Sequence, residues 1–172
     1  MPKHYGGMAY TRKKYIRSMP QSMIKRFTLG DTKAEFSDAT FLKAAYPSQV
    51  GSGALEAARV TANKVLEASG KPFLLKILPF PHEVVREHKF MGFAGADRLS
   101  RGMTKSFGRP ASRRAKLTAG QVILAISVNS DMVATAKAAL KRASKKLPIP
   151  CNIVVEEEKL VEIQETALES EQ

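Results

Sequence analysis

The sequence predicts an α+β fold: a compact two-helix domain on an antiparallel or mixed sheet, with a basic N-terminal arm and a long basic loop. Three observations carry that expectation. Two segments have a clear helical period, and five short apolar or β-branched runs are bounded by Gly or Pro. Those runs are grouped between the helices instead of strictly alternating with them, which disfavours a βαβ parallel sheet. With 172 residues, 44% of them hydrophobic, the chain has the apolar content for one domain with a real core.

The first helix is expected over Gly53–Ala68, where Leu55, Ala58, Ala62, Val65 and Leu66 recur at helical spacing. Ser52 is its expected N-cap and Gly70 its stop. The second is expected over Ser130–Leu147, with Val133, Ala136, Leu140, Ala143 and Leu147 on one face. Asn129 or Ser130 starts it and Pro148 ends it. Its other side carries Lys137, Lys141, Arg142, Lys145 and Lys146. The last three suit a helix C-terminus, where cations oppose the macrodipole. Lys137 and Lys141 lie further up, so a phosphate-facing stripe stays open.

Strands are expected at Phe73–Leu78, Glu83–Arg86, Ala115–Thr118, Gln121–Val128 and Asn152–Val155. Pro79 and Pro81 lack the N–H a central strand needs, so pairing near Phe80 is limited to an edge, bend or bulge. One domain is expected over residues 1–155, containing an extended arm (1–27) and a projecting loop (101–114). Residues 156–172 are an acidic tail, for which a short amphipathic helix and a frayed end are both open.

Charge is the informative property. Net charge is +12, and 14 of the 28 cations fall in two carboxylate-free segments, Met1–Gly30 and Arg98–Ser130. The stretch Val155–Gln172 is the reverse, with seven glutamates and one lysine. Mixed signs solubilise a surface equally well, so long acid-free runs point to a polyanion. The arm holds Arg12, Lys13, Lys14, Arg17, Lys25 and Arg26, together with Tyr5, Tyr10 and Tyr15. It lacks a sustained apolar period and is expected to order on a partner, with tyrosines suited to stacking on bases. Residues Arg101–Ser112 show neither strand nor helix period, and as a hairpin they would reach roughly 20 Å. Arg101, Lys105, Arg109 and Arg113 would supply forks to phosphates there and Phe107 a stacking ring, with Arg98, Arg114 and Lys116 flanking.

Other chemistries are weak. The single cysteine, Cys151, excludes an internal disulfide and is expected to be a buried, inert thiol. His82, His88 and Cys151 match no zinc spacing. Gly102–Ser106 fails the phosphate-loop pattern, because Thr104 precedes Lys105 at the wrong spacing. Glu83 and Glu87 would pair as acid and base only on a helix, against which Pro79 and Pro81 argue. No catalytic constellation, metal set or cofactor motif emerges. Neither a secretory h-region nor an apolar run long enough for a membrane span is present.

Several separated blocks resemble the universal large-subunit ribosomal protein family called L-sixteen in bacteria and L-ten-e in archaea and eukaryotes. They are Tyr10–Tyr15, Ala54–Arg59 with Ala62–Lys64, Ala94–Leu99, Gly102-Met103, Phe107–Pro110 and Gly120–Ile123, closest to the archaeal–eukaryotic form. The similarity runs from about Tyr5 to Val155 and excludes the acidic tail. It implies a non-enzymatic, cytoplasmic, ribosome-bound protein. Its partners would be large-subunit ribosomal RNA, neighbouring ribosomal proteins and, near the loop, transfer-RNA acceptor ends, without a membrane or small-molecule substrate. On that reading Arg59, Lys64, Lys137 and Lys141 clamp RNA from the body of the domain. An alternative is an RNA-directed modification enzyme delivered by a basic surface, and a third reading is a peripheral membrane protein.

Overall fold

The computed structural model describes residues 16–87 and 108–157. Within them the order is β1 (Thr28–Gly30), β2 (Asp38–Ala44), β3 (Ser48–Gly51), α1 (Ser52–Glu67), β4 (Leu74–Ile77) and β5 (Glu83–Glu87). There follow β6 (Arg109–Leu117), β7 (Val122–Val128), a 3-10 turn (Ser130–Met132), α2 (Val133–Ser144) and β8 (Cys151–Glu157). The strands form two antiparallel sheets, β1-β4-β7-β2-β8 and β3-β6-β5. The α+β expectation with two helices holds, and every strand pairing described is antiparallel.

Both helices lie where their periodicity puts them, with differences at the ends. Ser52 is the first helical residue of α1; Gly51 holds the N-cap position and no side chain caps it. Gly70 follows the helix at φ +68°, the left-handed conformation that ends it. The second helix starts with the 3-10 turn after Asn129 and ends at Ser144, three residues short of Leu147. Turn hydrogen bonds from Lys146 N–H to Ala143 and from Leu147 N–H to Ser144 finish it. Lys145 and Lys146 therefore lie beyond the helix proper.

The two helices pack on each other and on the inward faces of both sheets. Leu42, Leu55, Leu66, Leu75, Leu117, Leu124, Ile126 and Leu140 are fully buried in one continuous core. Each such side chain stabilises the fold by about 1.5–3 kcal/mol relative to exposure. Buried alanines (Ala58 and Ala62 on α1; Ala136, Ala139 and Ala143 on α2) let the elements approach closely.

Three strands were not foreseen from sequence. β2 lies inside the larger sheet between β7 and β8, and five of its seven residues are buried, so it shows no inward–outward alternation. β1 and β3 have only three and four residues, too few for a period to register. The loop expectation also needs correction, because residues 109–114 belong to the nine-residue β6. That strand is paired on both sides, to β3 over Arg114–Leu117 and to β5 over Arg109–Arg114, with a bulge between Val85 and Arg86. Its burial alternates only at its C-terminal end, where Ala115 and Leu117 face the core, so its first half carries no apolar signal. β8 runs on to Glu157 and so takes in the first two residues of the expected acidic tail.

At Gly30 the absence of a side chain is dictated by its neighbours. Its φ is +99°, and a Cβ there would lie 1.9 Å from the Phe73 carbonyl oxygen. That close approach lets β1 seat on β4, where Asp31 N–H donates to the same oxygen at 3.0 Å.

Candidate nucleic-acid interface

The expected cations divide into three groups according to what holds them. Arg17, Lys25 and Arg26 are exposed on the described part of the arm. Ile24 of this segment is buried in the core, and two polar contacts tie its backbone to α1 and β6. Lys25 N–H donates to Glu56 Oε2 at 3.3 Å, and Arg113 Nε donates to the carbonyl oxygen of Pro20. On β6 Arg113 shares the side of Ala115 and Leu117, which are buried, so its guanidinium lies under the arm and is only partly exposed.

Arg59 belongs to the same junction. Its Nε donates to Glu56 Oε2 at 2.9 Å and its second terminal nitrogen to Oε1 at 2.7 Å. The two residues are one helical turn apart on α1, and the Arg59 side chain is 11% exposed. The Arg59 hydrogen bonds hold the Glu56 carboxyl below its usual range against the opposing effect of burial, and the Lys25 N–H adds to the depression. Glu56 in turn raises Arg59 further. Glu56 thus ties the arm backbone to α1, while Arg113 ties it to β6. Sequence reading put Arg59 and Arg113 on phosphates; the structure engages both inside the protein.

The second group lies on the outward face of the smaller sheet. Arg114 and Lys116 alternate with the inward residues of β6. Arg114 stands across from Glu83 on β5 and Gly51 on β3, and Lys116 across from Gln49. Arg109 is exposed at the start of β6, opposite Glu87.

The third group is on and beyond α2. Lys137, Lys141, Arg142, Lys145 and Lys146 are all exposed. None of them meets a carboxylate among the described residues. From Met132 to Val155 the sequence has no Asp or Glu, a third acid-free run that was readable from the start. Lys64 is likewise exposed on α1. Two features were missed: Lys76, exposed between buried Leu75 and Ile77, and an exposed aromatic cluster around Phe80. Lys76 is the single polar residue in the apolar run Leu74–Leu78, and that was its signal in the sequence.

Arg12, Lys13, Lys14, Arg98, Arg101, Lys105 and Phe107 lie outside the described residues, as do His88, the three arm tyrosines and residues 158–172. Cys151 is half-buried, its thiol donating to the Ile149 carbonyl at 3.5 Å, and burial pushes its pKa up to about 11. Glu83 and Glu87 sit on a bulged strand, not a helix. Among the described residues no group of three His, Cys, Asp or Glu is placed to hold a metal ion. No described helix is long and apolar enough to cross a membrane.

Residues 6–154 match the family model described as ribosomal protein L16p/L10e. The chain belongs to the L16p/L10e family of ribosomal proteins. Relatives named large ribosomal subunit protein uL16 agree with that membership. The Thermofilum pendens protein is 44% identical over 157 residues, covering 90% of this chain and 94% of that relative. The Staphylothermus marinus protein is 41% identical over 153 residues, 88% of each chain, and the Archaeoglobus fulgidus protein 42% over 149 residues, 86% of each. The L16p/L10e match takes in most of the arm, residues 101–107 and all of α2, and stops short of the acidic tail.

Proposed function

We propose that this protein is a structural constituent of the large ribosomal subunit, cytoplasmic and ribosome-bound, that binds ribosomal RNA and has no turnover of its own. The observation that carries the reading is the L16p/L10e match over residues 6–154. The cations of α2, which meet no carboxylate among the described residues, support the manner of binding. A lysine or arginine without a carboxylate neighbour loses no intramolecular pair when it meets a phosphate, and it releases counterions on doing so. Arg17, Lys25, Arg26, Lys64, Arg109, Arg114, Lys116, Lys137 and Lys141 are the described residues assigned to RNA. Arg59 and Arg113 act through the arm they hold. Arg12, Lys13, Lys14, Arg98, Arg101, Lys105 and Phe107 are assigned to RNA from the sequence. Neighbouring ribosomal proteins complete the set of partners.

The finer part of the proposal concerns the segment before β6. Residues 101–107 approach the acceptor ends of bound transfer RNA and help order the peptidyl-transferase region. The family resemblance and the carboxylate-free composition of the segment support this. Sedimentation of the endogenous protein through a high-salt gradient tests the whole reading, with co-migration with large subunits expected. A protein that sediments free of them at every salt concentration overturns it. Removal of Met103–Phe107, which spares β6, is expected to leave the chain on the subunit and to impair steps that need transfer RNA.

A further inference from the structure

Where the connection leaves the larger sheet for the smaller one, apolar rings stand in the open. Phe80 is 45% exposed and Leu78 is 51% exposed, although both lie among residues that build the core. The Phe80 ring stacks on Phe27 with centroids 5.4 Å apart and planes 21° off parallel, and His82 leans against it at 4.8 Å and 53°. Pro79 and Pro81, both buried, flank Phe80 and hold its backbone. The stack therefore starts from a fixed base: Phe27 packs against the core, and its carbonyl accepts the Ile77 N–H at 2.8 Å.

The surroundings of this stack are cationic. Thr28 pairs with Lys76 at the free edge of the larger sheet, and continuing that register sets Arg26 beside Leu78. Both cations are exposed, and neither forms an ion pair with a described residue. The carboxylate nearest to Phe80 along the chain, Glu83, stands across from Arg114, and Asp31, nearest to Arg26, accepts the Lys33 N–H.

We propose that the Phe80 platform receives one unpaired base of ribosomal RNA, stacked on the exposed ring, while Arg26 and Lys76 contact the flanking phosphates. The inference rests on the RNA-binding reading above and adds a base contact to it. A flat ring with one face supported and a cationic rim suits a nucleotide, whose base has a π-face and whose neighbours carry phosphates. A protein partner would be met by a broader apolar patch inside a polar rim. The stack presents one exposed ring backed by Phe27 and two cations without an ion pair among the described residues.

The chain contains no tryptophan, so Phe80→Trp introduces a lone fluorophore at the platform. The full-length variant is titrated with protein-free large-subunit ribosomal RNA and, separately, with purified large-subunit ribosomal proteins, while filter retention of the unmodified chain reports RNA binding as such. Quenching by RNA is expected, because stacking on a base quenches indole. Phe80→Leu keeps apolar bulk and removes the ring face, so it is expected to weaken RNA binding about five-fold or more. RNA bound by the unmodified chain without quenching at position 80, or a Phe80→Leu affinity within two-fold of the unmodified chain, overturns the platform and leaves the broader reading standing. An emission change with proteins alone overturns it in favour of a protein contact. Failure of the unmodified chain to bind RNA at all overturns both.

Discussion

The helices α1 and α2 pack against each other and carry their cations in opposite ways. On α1, Arg59 is locked into a bidentate pair with Glu56, and that carboxylate also takes the Lys25 N–H of the arm. On and just after α2, five exposed cations stand without a carboxylate among the described residues. A charge count already separates them, since α1 sets Arg59 and Lys64 against Glu56 and Glu67 while the α2 run has no carboxylate. Physically they differ, because a guanidinium already desolvated against a carboxylate gives little when offered a phosphate, whereas a solvated lysine offers its whole charge. The Glu56–Arg59 pair organises the protein, whereas the α2 cations meet no carboxylate among the described residues.

That contrast is open to direct attack, and the largest effect is expected on α2. Replacing Lys137, Lys141 and Arg142 together by glutamate should lower affinity for large-subunit ribosomal RNA by about 100-fold at physiological salt and flatten the salt slope by about 2–3. Filter binding across a salt series reads both quantities. Thermal stability should change by less than about 1 kcal/mol, since the three side chains are exposed. A collapse in melting temperature would mean that the α2 face is structural after all.

Glu56→Ala should show the opposite profile. It strands a mostly buried guanidinium and removes the acceptor of the Lys25 N–H, costing about 2 kcal/mol. For a chain of this length that is roughly a 4–8 °C fall in melting temperature. Proteolysis at the arm should accelerate, while the salt slope of RNA binding stays unchanged. Unaltered melting would show the junction to be idle.

A smaller effect sharpens the same point through pH. The carboxyl of Glu56 is depressed below its ordinary value of 4.5 in the folded protein and regains that value on unfolding. Its contribution to stability is therefore complete above about pH 5 and is lost as the pH falls through the lowered folded value. The stability difference between the unmodified chain and Glu56→Gln should be constant near neutrality and shrink below about pH 4. Chemical denaturation at pH 7, 5 and 3 measures it. A difference that persists undiminished at pH 3 would remove the charge from the explanation.

The least effect is expected at Cys151, which lies on β8 and belongs to neither set. With its pKa raised to about 11 by burial, it stays a thiol at pH 8 and should react with iodoacetamide far more slowly than a free cysteine. Alkylation kinetics followed by mass spectrometry test this, and rapid labelling at pH 8 would contradict it.

How much of this was legible depends on the element. The helices α1 and α2 show their inward faces in the spacing of Leu55, Ala58, Ala62 and Leu66 and of Ala136, Leu140 and Ala143, and folding honours both. β2 was invisible because burial on both sides erases the alternation a half-exposed strand would show. The first half of β6 was read as loop because Arg109–Arg114 has no apolar period. Its pairing comes from β3 and β5, remote in sequence. At the interface, the abundance of cations was plain, but the fate of Arg59 was not. Glu56 sits three residues before it, a spacing that permits an ion pair without requiring one.

From the order of residues alone came the sign of the partner, the two helical faces and the absence of carboxylates along three long stretches. These depend on composition and local period, which no folding step can alter. Only the tertiary structure decided which cations are available, since availability depends on what stands across a strand or over a helix. Arg113 is the clearest case. By composition it belongs to a basic run, and it is the Pro20 carbonyl, 93 residues earlier, that accepts its Nε–H and leaves it only partly exposed.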